Sequence, residues 1–141
     1  MKIRKVKSVW NGTLKEGKGK MSFTGYSGPF TFATRFEDAP GTNPEELVGA
    51  AQSGCYSMFL SALLSGEGLN PESIETTASV SLGELGGGPA ITNIKLETVV
   101  KCDGVSQEKF AELAQTAKEK CPISRLYAGG SATIELDAKL V

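Results

Sequence analysis

Apolar and polar positions change period twice along this chain. Residues 3–10, 18–24 and 29–36 carry β-branched and aromatic side chains between Asn11-Gly12, Gly17, Gly25 and Gly28-Pro29, which predicts three strands of a short antiparallel meander. At Asn43-Pro44-Glu45-Glu46 the signal becomes that of a helix N-terminus: an N-cap asparagine, proline at N1, acids in the first turn, and Glu46 where a capping box places its acid. Val48, Ala51, Cys55, Met58 and Ala62 then recur at helical spacing, widened by Leu47, Phe59 and Leu63, until Gly66 and Gly68 stop the helix. Cys55 falls on the predicted buried side. Period two returns over 74–85 and 90–101, where Ile94, Leu96, Thr98 and Val100 alternate with Asn93, Lys95, Glu97 and Val99 across Gly86-Gly87-Gly88-Pro89. A second amphipathic helix opens at Ser106-Gln107-Glu108-Lys109, with Phe110, Leu113, Ala114, Ala117 and Cys121 as its stripe and Pro122 ending it or starting a new turn. Residues 131–141 alternate as a last strand.

The order βββ-α-ββ-α-β predicts an α+β fold, antiparallel sheets packed around two main helices. A length of 141 residues fits a single domain, 1–141, with its own core. Fifteen basic against 16 acidic residues give a formal charge of -1, with no basic cluster suited to nucleic acid. The basic start MKIRKVKSVW is not followed by an apolar leader core, and no run approaches the roughly 20 apolar residues of a membrane span. A cytoplasmic protein with no membrane partner is expected. Its three cysteines, Cys55, Cys102 and Cys121, then form no standing disulfide framework.

The chain has no histidine, which removes Ser-His-Asp triads, Cys-His dyads and HExxH metal sites together. No CxxC knuckle supports a zinc site, so neither a metal nor a cofactor is expected. A cysteine reacts as its thiolate, and at neutral pH that form needs a nearby cation or backbone amides. The arginines are Arg4, Arg35 and Arg125. Arg35 closes the third predicted strand, just before the Cys55 helix, and Arg125 follows Cys121 by four positions. A desolvated arginine needs a counter-charge, which Glu45 can supply. In one straight helix Glu45 lies about 15 Å from Cys55 along the axis, so it acts only through an arginine or across an interface. Each residue also has a plainer role. Cys55 on an apolar stripe fits a small core residue, Cys121 a packed helix end, Arg35 an edge-strand ion pair and Glu45 a first-turn acid. Cys102, beside Asp103-Gly104, reads as incidental.

Two segments, TRFEDAPGTNPEELVGAAQSGCYSMFLSALL and AKEKCPIS, closely resemble the OsmC/Ohr family of osmotically inducible and organic hydroperoxide resistance proteins, over essentially the whole chain. The arginine in TRFE is more similar to the OsmC branch than to the Ohr branch. The resemblance implies a cysteine-based thiol peroxidase that reduces organic hydroperoxides, and hydrogen peroxide more weakly, without metal or flavin. It implies Cys55 as the peroxidatic cysteine and Cys121 as the resolving cysteine, joined in an intramolecular disulfide that an external dithiol reduces. Arg35 is implied to activate the thiolate and Glu45 to hold Arg35. The dithiol implied is a lipoyl group on a protein, and the assembly an intertwined homodimer with active sites at the interface. That dimer suits the small residues of Gly49-Ala50-Ala51-Gln52-Ser53-Gly54, for which tight packing on a sheet is the alternative. Met58, Phe59 and Leu126 are candidates to seat an alkyl tail. A stoichiometric redox-sensing or stress-binding protein is the competing expectation.

Overall fold

A computed structural model describes residues 1–141. They form two compact units, 1–47 and 48–141. The elements run β1 (Lys7–Asn11), β2 (Lys18–Phe23), β3 (Tyr26–Phe30), α1 (Phe32–Phe36), α2 (Pro44–Gly66), β4 (Ser73–Leu85), β5 (Gly88–Lys101), α3 (Gln107–Lys120), α4 (Pro122–Tyr127) and β6 (Thr133–Leu140). The fold is α+β, as expected.

The first unit is an antiparallel meander in the order β1-β2-β3. Trp10 and Phe30 pack with ring centroids 5.3 Å apart, over Gly19, where a Cβ would collide with both rings. The expected strand over 29–36 is instead the end of β3 followed by α1. Pro29 lies inside β3 because β3 is an edge strand and needs no donor there. Helix α1 then starts on a local signal that outweighs the β-propensity of its phenylalanines. Thr31 accepts from the Thr34 N–H, and Thr34 Oγ1 accepts from the Thr31 N–H, a reciprocal cap. Asn43 caps α2 as predicted: its Oδ1 accepts from the Glu46 N–H at 2.8 Å, while its Nδ2 donates to the Thr34 carbonyl.

The second unit is a sheet in the order β4-β5-β6 faced by α2, α3 and α4. The β4–β5 hairpin turns on two residues, Gly86 and Gly87, at φ 62° and 83°. Positive φ at both positions defines a type I′ turn, so Gly88 and Pro89 belong to the strand rather than the turn. Strand β6 pairs parallel to β5, which departs from the all-antiparallel expectation. The physical reason lies in the connection: a chain returning in the same direction needs a long crossover, and α3 with α4 supplies it. Ile94, Leu96 and Val100 of β5 are buried with Phe110, Leu113, Ala114 and Ala117 of α3, as the alternation and the helical stripe predicted.

Helix α2 is rolled relative to its predicted stripe. Gln52, Tyr56, Leu60 and Leu64 are fully buried, whereas Met58 is 78% exposed and Ala51 and Ala62 are exposed as well. Scoring only apolar letters overlooked Gln52 and Tyr56, and so placed the stripe on the wrong side. Gly49 packs close to Ala78 and Val80 of β4, while Gly54 has open space above it; the small residues thus divide between sheet packing and the exposed face. Ser57 donates to Thr76 at 2.8 Å, and Thr98 donates to the Glu75 carbonyl. Thr76 therefore donates on to Thr98 at 2.9 Å, an unbroken chain that holds α2 on the sheet. Contrary to the expectation above, this helix is long and apolar enough by length and composition to cross a membrane, with 23 residues and a mean hydropathy of 1.3 over its most apolar window. Alanine and cysteine raise that value without forming a bulky apolar run.

Candidate active site

In the first unit, Arg35 in the last turn of α1 meets Glu45 in the first turn of α2. Nη2 donates to Oε1 at 2.7 Å, and Nε donates to Oε1 and Oε2 at 3.1 and 3.3 Å. Two nitrogens on one carboxylate fix the plane of the guanidinium. Glu45 is 8% exposed and the Arg35 side chain 38%, so the acid is committed to the pair while part of the cation stays open. The Arg35 guanidinium also lies 5.2 Å from the centre of the Phe36 ring, an added constraint. Arg35 borders a cavity of about 230 Å³ lined by Trp10, Leu14, Phe30, Phe32 and Phe36. The cation is thus presented at the edge of an aromatic hollow.

In the second unit, Cys55 on α2 is partly exposed, and Cys121, at the junction of α3 and α4, is fully buried. Cys121 and the Ile123 backbone N–H are the neighbours that act on the ionisation of Cys55. Burial pushes the Cys55 thiol above its ordinary range; the Ile123 N–H pulls it down, and Cys121 pushes it up again. Sequence reading placed Cys121 at a helix junction, and it is the N-cap of α4: its Sγ accepts from the Ser124 N–H at 3.4 Å.

Around Cys121 lies a buried polar cluster that the sequence reading missed. Ser124 Oγ is 3.1 Å from Cys121 Sγ, and Gln52 Nε2 donates to the same oxygen at 2.9 Å. The Tyr56 hydroxyl and Gln52 Oε1 are buried without partners. Burial first, and the Cys121 charge second, push the Tyr56 phenol far above its ordinary value, so it remains a neutral donor. The available signal was Gln52 itself: an uncharged amide three residues before Cys55, in a run of alanine, glycine and serine.

The remaining candidates fall elsewhere. Arg125 is exposed in the last turn of α4. Cys102 is buried just after β5, in the core cluster. Leu126 lines a second cavity of about 230 Å³ with Val48, Ile91, Ile94 and Tyr127. Met58 and Phe59 do not line that cavity, so the predicted alkyl-tail group is divided.

Residues 36–137 match the family described as OsmC-like protein. The chain is 44% identical to Peroxiredoxin OsmC of Escherichia coli over 142 residues, 97% of this chain and 96% of the relative. It is 31% identical to the organic hydroperoxide resistance protein OhrB of Bacillus subtilis over 73% of this chain and 74% of the relative. In fold it is similar to an OsmC-like protein of Mycoplasma pneumoniae, with a TM-score of 0.75 at 16% identity covering 99% and 98% of the two chains. An OsmC-like protein of unknown function from Vibrio cholerae gives 0.76 at 19% identity, covering 97% and 100%.

Proposed function

The chain belongs to the OsmC-like family, on its OsmC branch, and from that membership we propose that it is a thiol peroxidase reducing organic hydroperoxides, and hydrogen peroxide more weakly. The observation that carries the reading is the partly exposed Cys55 thiol with the buried Cys121 as a neighbour that acts on its ionisation. The Cys55 thiolate attacks the distal peroxide oxygen, the O–O bond breaks, and the alcohol leaves with a proton. The sulfenic acid then condenses with the Cys121 thiol, releasing water and forming a disulfide. An external dithiol, such as a lipoyl group on a protein, returns both thiols. Because burial holds the Cys55 proton tightly, a cation has to favour the thiolate. We assign that role to Arg35, held in plane by Glu45. Residues 1–141 act as one functional domain, as a cytoplasmic homodimer with sites at the interface.

Peroxide consumption with tert-butyl hydroperoxide and a lipoyl dithiol tests the reading. Cys55→Ser abolishes turnover, and Cys121→Ser stops after one event with a sulfenic acid that a dimedone label detects. Wild-type turnover in both variants refutes the mechanism. For Arg35→Ala, the curve of Cys55 alkylation rate against pH moves to higher pH; an unmoved curve transfers the activation to the Ile123 amide. The upward push of burial on Cys55 is the observation that favours a stoichiometric redox-sensing or stress-binding protein instead. Such a protein consumes no more than one peroxide per chain.

A further inference from the structure

Gln52 and Ser124 are both fully or nearly fully buried, at 0% and 2% exposure, and neither touches Cys55 in the hydrogen-bond network. Their contacts converge on Cys121. A serine hydroxyl has one proton to donate and two lone pairs to accept with. Gln52 Nε2 occupies one lone pair at 2.9 Å, which fixes the position of the oxygen without using its proton. In the dithiol state the Cys121 thiol donates to Ser124 Oγ across 3.1 Å. A Cys121 thiolate has no proton to give, so the same contact persists only with the Ser124 hydroxyl turned to donate to sulfur. The Ser124 N–H already points there at 3.4 Å. Ser124 thus offers two donors to an anionic Cys121 with no movement of heavy atoms.

Access breaks the symmetry between the two sulfurs. Cys121 is completely buried and Cys55 partly exposed. In thiol–disulfide exchange the attacked sulfur is the one that can be reached, and the rate rises with stabilisation of the sulfur that leaves.

Resting on the disulfide reading above, we propose that Gln52 and Ser124 are positioning residues for the reductive half-cycle, in which the dithiol attacks Cys55 and Cys121 is the leaving sulfur. One thiolate of the dithiol attacks Cys55 Sγ, forming a mixed disulfide as the Cys55–Cys121 bond breaks and Cys121 departs with the electron pair. Ser124 meets that charge through its hydroxyl and its N–H, and Gln52 holds the hydroxyl oxygen in line. The second thiol of the dithiol then attacks its own mixed-disulfide sulfur, which releases Cys55 and leaves the reductant as a cyclic disulfide. Two electrons pass from dithiol to protein.

The test measures the two half-reactions separately in the full-length protein. The Cys55–Cys121 disulfide is made with diamide, so the reductive arm runs whether or not hydroperoxide forms the bond; absence of hydroperoxide oxidation in wild type would count against the peroxidase reading alone. Ser124→Ala slows reduction by dihydrolipoamide by about tenfold or more, the value of one hydrogen bond to a charged group. Gln52→Met gives a smaller loss, and the double variant is no slower than Ser124→Ala, because both act along one path. First-turnover hydroperoxide consumption changes by less than about twofold, the size of effect left when no contact to the reacting group is removed. A monothiol trap, glutathione, is found on the Cys55 peptide. Equal slowing of both half-reactions, additive losses in the double variant, unchanged reduction, or glutathione on Cys121 each overturns the proposal. Gln52→Met retains the side-chain volume, so its reduction rate decides the matter where Ser124→Ala does not fold.

Discussion

At the scale of single residues, Cys55 and Cys121 share one chemistry and differ in surroundings. Exposure makes Cys55 reachable, while burial and Ser124 make Cys121 a sulfur that is held rather than approached. Both cysteines were legible as candidates from helix position alone, Arg35 from the scarcity of arginine and the absence of histidine, and Glu45 as its counter-charge. The contacts that distinguish their surroundings come from Gln52 and Ser124, 72 positions apart in sequence, and no local pattern joins them. Tyr56 gives a sharp prediction. Its hydroxyl is buried without a partner, so it carries a desolvation cost with no hydrogen bond to offset it. Tyr56→Phe is therefore expected to leave the urea midpoint unchanged or raise it; a loss above about 1 kcal/mol, the usual net value of a made hydrogen bond, would show that the hydroxyl is satisfied in solution.

Elements were legible where one local signal dominated. Asn43-Pro44 started α2, Ser106 started α3, and the alternation over β5 chose the buried face correctly. The roll of α2 was not legible, because small residues surround the helix and its buried face is completed by an amide and a phenol. The rolled orientation predicts two opposite outcomes. Leu60→Ala, at a fully buried position, destabilises the fold by about 2–5 kcal/mol through lost transfer energy and a cavity. Met58→Asp, on the exposed face, leaves far-UV circular dichroism unchanged and the urea-derived stability within about 0.5 kcal/mol of wild type, as surface substitutions do. A loss of several kcal/mol at Met58 would instead put that face of the helix in the core. Helix α1 was misread as strand for a similar reason: the reciprocal Thr31–Thr34 cap outweighs the propensity of two phenylalanines.

For the molecule as a whole, the fold holds protons on Cys55 and Tyr56 more tightly than an unfolded chain does. Raised values on acids that are neutral when protonated mean that their contribution is complete below the ordinary thiol range and lost as pH rises through it. Folding stability is thus expected to be insensitive to these two groups below about pH 8 and to fall progressively above it, with the steeper loss beyond about pH 10. Urea midpoints between pH 7 and 11 check this, and Tyr56→Phe should remove most of the decline beyond the phenol range. A midpoint that rises with alkalinity would contradict it. What the sequence determined by itself was whatever depends on neighbours along the chain: the caps, the hairpin glycines, the alternation of β5, and the exclusion of histidine chemistry. The tertiary structure alone decided the parallel docking of β6, the roll of α2 and the meeting of Gln52 with Ser124 beside Cys121. Those depend on which surfaces exclude water together, and that is a property of distant segments in contact.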